Sequence, residues 1–165
     1  MNISLVGMMG CGKSTIGKLL ASYTGYLFVD IDELIVSKEG ITIPQIFDTK
    51  GEDYFRSIEA KILEEVLLKD NQIISTGGGI VKLEHNIKLL KEKSKVFYLS
   101  APANVLFDRV KDDTNRPLLK ADDIKLKIEM LLSQRIFLYE KAHYIVDADN
   151  TPEYVVTQII EKLKW

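Results

Sequence analysis

Short apolar segments alternate with amphipathic segments along most of this chain. The apolar segments carry few charges, which is typical of parallel strands that helices cover on both faces. The segments between them repeat their apolar residues at helical spacing. This alternation predicts an α/β fold built on a parallel sheet. The predicted strands are Asn2–Val6, Tyr26–Val29, Gln72–Ser75, Lys95–Leu99 and His143–Val146.

The helical segments lie between these strands, and three of them begin near a proline, which suits a first helical turn because proline has no N–H to leave unpaired. We find no internal repeat, low-complexity stretch or linker, so residues 1–165 are predicted to form one domain. The predicted helices are Lys13–Tyr23, Asp32–Lys38, about Pro44–Asp48, Glu52–Leu68, Leu83–Lys93, Pro102–Lys111, Asp122–Tyr139 and Pro152–Leu163.

A complete phosphate-binding loop follows the first predicted strand. Residues 7–14 read GMMGCGKS and match the pattern G-x-x-x-x-G-K-[ST], with a predicted helix directly after them. Glycines let backbone N–H groups turn toward a triphosphate, and the helix N-terminus adds its positive dipole end. Lys13 can then reach the outer phosphates and the Ser14 hydroxyl can bind Mg²⁺. The loop predicts nucleotide binding, and the resemblance described below implies that the nucleotide is ATP; the residues concerned are Gly10, Cys11, Gly12, Lys13, Ser14 and Thr15.

Two aspartates stand at the end of the second predicted strand. Asp30 is placed to hold Mg²⁺, directly or through water. Asp32 lies two residues further on, where it can orient an acceptor hydroxyl or take its proton. The alternative for Asp32 is a helix N-cap, and both roles can coexist.

Glycines and arginines mark the other candidate positions. Gly77, Gly78 and Gly79 follow the third strand, where exposed backbone N–H groups form an anion or hydroxyl site or, alternatively, a tight connection. Of the 22 basic residues only four are arginine, which favours bidentate contacts over solvated ion pairs at those positions. Arg116 lies in an aperiodic segment, about 112–121, that is either a lid or a plain surface connection. The other three arginines are Arg56, Arg109 and Arg135.

Composition restricts the partners and the compartment. The net charge is −2 without a basic stripe, so we expect no nucleic acid partner, and the longest apolar runs are too short to span a membrane. Cys11 is the only cysteine and cannot form an internal disulfide. A cytoplasmic location is therefore expected.

Taken in order, these motifs resemble those of the shikimate kinase family along essentially the whole chain. The series adds an F-R-x-x-E segment, an R-P-L-L segment and an arginine followed by a tyrosine to the motifs above. Met9 departs from the family, in which many members carry proline. The matching elements are residues 7–14, Asp30 to Asp32, Phe47, Phe55 to Glu59, Gly77 to Gly79, Arg116 to Leu119, and Arg135 with Tyr139.

The resemblance implies a P-loop, nucleoside-monophosphate-kinase-like three-layer sandwich whose parallel sheet has about five strands in the order 2-3-1-4-5. It implies transfer of the γ-phosphoryl group of ATP to the 3-hydroxyl of shikimate, with Mg²⁺, in aromatic amino acid biosynthesis. Monomers are common in the family, so a monomer is expected. The substrate-binding region is expected at about 32–60 and the lid at about 112–121.

The resemblance also implies roles for individual residues. Lys13, Asp32 and Arg116 would be catalytic, and Ser14 and Asp30, the latter through water, would serve the metal. Arg109 would pack on adenine, with Pro152 in the adenine loop, and Arg116 would also contact the phosphates. The residues implied for shikimate are Asp32, Phe47, Phe55, Arg56, Gly77, Gly78, Gly79 and Arg135.

Two other functions fit parts of the sequence. A related small kinase for gluconate or a nucleoside monophosphate would share the phosphate loop. A GTP-dependent switch would use the D-x-x-G pattern at Asp48–Gly51, although that pattern follows a helical stretch and the chain lacks an N-K-x-D segment.

Overall fold

A parallel sheet of five strands forms the centre of the protein in residues 1–112 and 123–163, the part of the chain that this computed structural model describes. The strand order is β2-β3-β1-β4-β5, which confirms the predicted order. The middle strand β1 is buried over its whole length, because it pairs with β3 on one side and β4 on the other. The strands are β1 (Asn2–Val6), β2 (Leu27–Asp30), β3 (Gln72–Ser75), β4 (Ser94–Ser100) and β5 (Tyr144–Asp147).

Helices flank this sheet, as the alternation of segments predicts. Helix α1 packs against α7 and β3, and α5 packs against α6. None of the described helices combines the length and the apolar character that crossing a membrane requires. The helices are α1 (Lys13–Thr24), α2 (Ile31–Glu39), α3 (Ile43–Val66), α4 (Glu84–Lys93), α5 (Ala103–Val110), α6 (Ile124–Tyr139) and α7 (Pro152–Leu163), and a 3₁₀ turn covers Ile80–Lys82.

Most predicted boundaries differ from the structure by one or two residues. The range given for α3 covers two helices that meet at a kink, and they correspond to the two helices predicted there. Thr42 and Gln45 form a capping box at its start, and the chain kinks at Gly51, where φ is 83°. The non-helical backbone at Gly51 therefore separates the two helices, between the predicted end of the first and the predicted start of the second.

The second strand also ends later than predicted. It includes Asp30, whose carboxylate accepts hydrogen bonds from the backbone N–H groups of Asp32 and Glu33. Asp30 is therefore the N-cap of α2, and the alternative that gave this role to Asp32 is wrong. Asp32 lies inside the first turn, two residues after the N-cap.

Candidate active site

A cavity of about 490 Å³ opens at the carboxyl ends of the strands, where parallel α/β sheets bind ligands. Its wall includes all six phosphate-loop residues predicted for ATP, as well as Arg109 and Pro152. Asp30, Asp32 and Gly78 belong to the same wall, so positions predicted for the nucleotide, the metal and the substrate share one space. Ser75, Thr76 and Ala148 also line this cavity.

The phosphate loop wraps around the Lys13 side chain. Gly12, the N-cap of α1, has a left-handed backbone with φ of 94°, which a side chain at this position would disfavour. The Lys13 ammonium donates to the carbonyl oxygens of Gly7 and Met8 at 2.8 and 3.0 Å. The side chain is thereby held at the floor of the loop, next to where phosphates would lie.

Three oxygen-bearing side chains meet beside the loop. The Ser14 hydroxyl donates to Asp30 Oδ2 at 2.7 Å and lies 3.3 Å from the Ser75 hydroxyl. Mg²⁺ in phosphate-transfer sites takes one or two protein oxygens and completes its shell with phosphate and water. The Ser14–Asp30 pair fits that requirement. No cluster of three or more His, Cys, Asp or Glu side chains among the described residues offers a protein-only metal site.

Arg56 lies against the triglycine segment and is 8% exposed. A methyl group at Gly79 would overlap its guanidinium, so glycine is required there to admit the arginine. Nη1 donates to Glu59 Oε2 at 2.7 Å, and Nε and Nη2 each lie 3.4 Å from Glu52 Oε1. Glu52 is also bound by Lys82 at 2.6 Å. This network of ion pairs fixes the position of the guanidinium.

Glu59 is a fully buried carboxyl at the centre of this arrangement. Its Oε1 has no hydrogen-bond partner among the described residues, although Oε2 binds Arg56. Burial raises the pKa of Glu59 to about 7; the charge of Arg56 and its hydrogen bond oppose the shift, and the Asp32 charge adds to it. Such a carboxyl changes its charge near neutral pH.

Arg135 approaches the triglycine segment from α6. It is 4% exposed, its Nη1 lacks a hydrogen-bond partner among the described residues, and that atom would lie 3.8 Å from a methyl group at Gly78. Tyr139, one turn later, donates from its hydroxyl to the Gly78 carbonyl at 2.5 Å. Burial raises the pKa of Tyr139 despite the opposing Arg135 charge, so the hydroxyl remains a donor. Tyr139 thus fixes the glycine backbone beside Arg135.

Asp32 faces the same glycines. A methyl group at Gly77 would stand 3.1 Å from Asp32 Oδ1 and 2.5 Å from Glu59 Oε1. The triglycine segment is therefore the point to which Asp32, Arg56, Glu59 and Arg135 converge. Phe55 and Phe47 connect to this region through Arg56. The Arg56 guanidinium lies 5.0 Å from the centroid of the Phe55 ring, and the ring centroids of Phe55 and Phe47 are 4.9 Å apart.

Arg109 bridges two walls of the cavity. Nη1 donates to the Gly10 carbonyl at 3.2 Å and Nη2 donates to the Ala148 carbonyl at 3.1 Å. The side chain therefore joins α5 to the phosphate loop and to the segment after β5. This segment leads to Pro152, the position predicted for the adenine loop.

The structure does not bring every predicted residue to the cavity wall. Six of the residues predicted for the substrate do not line the cavity: Phe47, Phe55, Arg56, Gly77, Gly79 and Arg135. Arg116 falls outside the described residues, as does the predicted lid except for residue 112. The D-x-x-G pattern lies in α3 at the Gly51 kink, and none of its residues lines the cavity.

Sequence reasoning did not select Ser75 or Ala148. Ser75 is the last residue of β3, and a polar residue ending a buried strand is the signal that would have identified it. The Ala148 carbonyl accepts a hydrogen bond from Arg109. Every residue has a backbone carbonyl, so the residue type at position 148 does not indicate this contact.

The chain is similar to shikimate kinases over nearly its whole length. The family model for shikimate kinase matches residues 9–164. The shikimate kinase of Thermodesulfovibrio yellowstonii is 44% identical over 162 residues, which cover 98% of this chain and 94% of that protein.

Solved structures agree with this relationship. The shikimate kinase of Acinetobacter baumannii in complex with shikimate has a TM-score of 0.96 at 37% identity, covering 99% of this chain and 92% of its own. The shikimate kinase of Aquifex aeolicus has a TM-score of 0.89 at 39% identity, covering 99% of this chain and 96% of its own. By sequence and by structure, this chain belongs to the shikimate kinase family.

Proposed function

We propose that the phosphate-loop cavity and the adjoining region around the triglycine segment carry the shikimate kinase activity of this chain, with ATP over the phosphate loop and shikimate between Asp32 and the two buried arginines. The reaction moves the γ-phosphoryl group of ATP to the 3-hydroxyl of shikimate and leaves ADP. The observation that supports this arrangement is the convergence of Asp32, Arg56 and Arg135 on the triglycine segment, with Asp32 and Gly78 on the wall of the phosphate-loop cavity.

At the nucleotide end, the loop N–H groups and Lys13 bind and neutralise the phosphates. Arg109 and the segment at Pro152 border the space for adenine, because both line the cavity and Arg109 joins the phosphate loop to the segment after β5. The resemblance to the family assigns Arg116 to the phosphates.

Mg²⁺ would be held by Ser14, with Asp30 supporting it through water, since the two side chains already share a hydrogen bond of 2.7 Å. When bound, the ion screens negative charge on the transferring phosphoryl group. Within the protein, Asp30 also caps α2 and so ties the metal position to the helix that carries Asp32.

At the acceptor end, Arg56 and Arg135 bind the carboxylate of shikimate, each hydrogen bond to a charged group contributing about 1.5–3 kcal/mol. The Gly78 and Gly79 backbone and the Phe47 and Phe55 rings surround the cyclic body of the substrate. Asp32 binds the hydroxyl end, orients the acceptor oxygen toward the γ-phosphorus and can take its proton.

An acceptor panel tests this function. We expect ADP release with ATP and Mg²⁺ to depend on shikimate and to stay at background with gluconate or AMP. The pair of guanidiniums favours a carboxylate, which AMP lacks, and gluconate lacks the ring that we place against Phe47 and Phe55. Turnover with gluconate or AMP, but not with shikimate, would overturn the assignment of the acceptor.

Replacing Arg135 by lysine tests the carboxylate-binding site. We expect Arg135→Lys to raise the KM for shikimate about tenfold or more, because the lysine keeps the charge and loses the second, parallel hydrogen bond. The KM for ATP stays within about twofold, since Arg135 does not line the nucleotide cavity. An equal loss of affinity for both substrates would contradict the assignment.

A further inference from the structure

One carboxylate oxygen of Glu59 has no role in the substrate binding proposed above. Oε2 accepts from Arg56 at 2.7 Å, whereas Oε1 is buried, has no hydrogen-bond partner among the described residues and faces Gly77. A carboxylate oxygen is costly to bury without a donor. Either an ordered water supplies that donor, or Oε1 carries a proton of its own.

With Glu59 ionised and no substrate bound, the positive and negative charges around Glu59 are equal in number. Arg56 and Arg135 oppose Asp32 and Glu59, and Lys82 opposes the more exposed Glu52. An anionic substrate between the two arginines adds one negative charge to this buried group. Because like charges in a region of low dielectric repel strongly, that addition favours taking up one proton.

Of the three acidic side chains, Glu59 is best placed to accept the proton. Glu52 is 36% exposed at its side chain, and Lys82 and Arg56 hold its pKa below the usual range. Asp32 lines the open cavity, whereas Glu59 is fully buried, and its pKa of about 7 already lies near neutrality. Protonation on Oε1 leaves Oε2 free to keep Arg56 in place.

We propose that Glu59 is a proton-carrying positioning residue, whose Oε2 fixes Arg56 while Oε1 binds a proton as the carboxylate of the substrate enters between Arg56 and Arg135. Shikimate then binds together with one proton, and the site stays electrically balanced. This inference rests on the proposed function, since it takes shikimate as the anion that enters.

The sign of the pH dependence follows directly. Below a pH of about 7 Glu59 already holds its proton, so affinity for shikimate is at its plateau. Above that value binding must take the proton from solvent, so affinity falls by up to about tenfold per pH unit. The carboxylate of shikimate stays ionised across this window because ordinary carboxyl groups titrate near pH 4.

Calorimetry of the full chain with shikimate tests the proposal. Binding measured at about pH 8 in buffers of different ionisation enthalpy is expected to show an uptake approaching about one proton per shikimate. Glu59→Gln, which resembles the protonated carboxyl, is expected to abolish the uptake and to keep the low-pH affinity between about pH 6.5 and 8.5. Glu52→Gln, a matched change at the other carboxylate that contacts Arg56, is expected to retain the wild-type pH slope.

Shikimate binding without proton uptake in the wild type would overturn the inference while leaving the proposed function intact. Uptake that persists in Glu59→Gln would overturn it as well, because another group would then hold the proton. If Glu59→Gln folds poorly, the proton uptake of the wild-type protein, measured in the series of buffers, tests the proposal by itself. ADP release with shikimate reports on the proposed function independently of the proton count.

Discussion

Asp32→Asn is expected to lower kcat for shikimate phosphorylation by about 10²–10⁴-fold while leaving ATP binding nearly unchanged. Asparagine keeps the size of the side chain and a hydrogen-bonding oxygen, but it cannot accept the proton of the acceptor hydroxyl. General base catalysis typically accelerates a reaction by about 10²–10⁴-fold, so we expect a loss of that size. Asp32 lies in the first turn of α2, and its Oδ1 faces Gly77. The measurement is steady-state kcat and KM for each substrate, with nucleotide affinity taken from a separate titration.

Glu33→Gln provides the matched control for that variant. Glu33 is the next residue in the same helical turn, is exposed, and loses the same unit of charge on substitution. We expect its kcat to stay within about twofold of wild type, because exposed charges act weakly over distance. A loss of less than about tenfold in Asp32→Asn would reduce Asp32 to a residue that orients the hydroxyl without taking its proton.

The predictable part of this protein is the part governed by local chemistry. The phosphate loop specifies a strand before it and a helix after it, and both were found where the pattern places them. Buried parallel strands read as apolar segments of low charge, so all five could be located from sequence within one or two residues. The strand order came from the family resemblance, since periodicity carries no information about which strands are neighbours.

What could not be predicted depends on distances between residues far apart in the chain. F-R-x-x-E gives the spacing of Arg56 and Glu59, but not that Glu59 is fully buried and faces Asp32 across Gly77. An N-cap at Asp32 remained an alternative because the predicted strand ends at Val29; pairing of Asp30 with Ser75 extends that strand by one residue. Side-chain burial and strand pairing are both consequences of tertiary contacts, and a single sequence does not show them.

Gly79→Ala is expected to raise the KM for shikimate about a hundredfold or more and to lower stability. The backbone at Gly79 has φ of −95°, which alanine adopts without strain, so the effect is steric. The added methyl would overlap the Arg56 guanidinium and displace it from Glu59. Breaking a buried ion pair costs about 3–5 kcal/mol, and the displaced arginine also loses its place beside the substrate.

A double-mutant cycle identifies the cause of that loss. If the methyl acts through Arg56, then Gly79→Ala has little further effect on the shikimate KM in an Arg56→Ala background, and the coupling equals most of the single-mutant effect. The KM for ATP is the internal control, because neither residue lines the nucleotide cavity. Additive effects of the two substitutions would show that Gly79 serves the substrate directly, through its own backbone, and not by admitting the arginine.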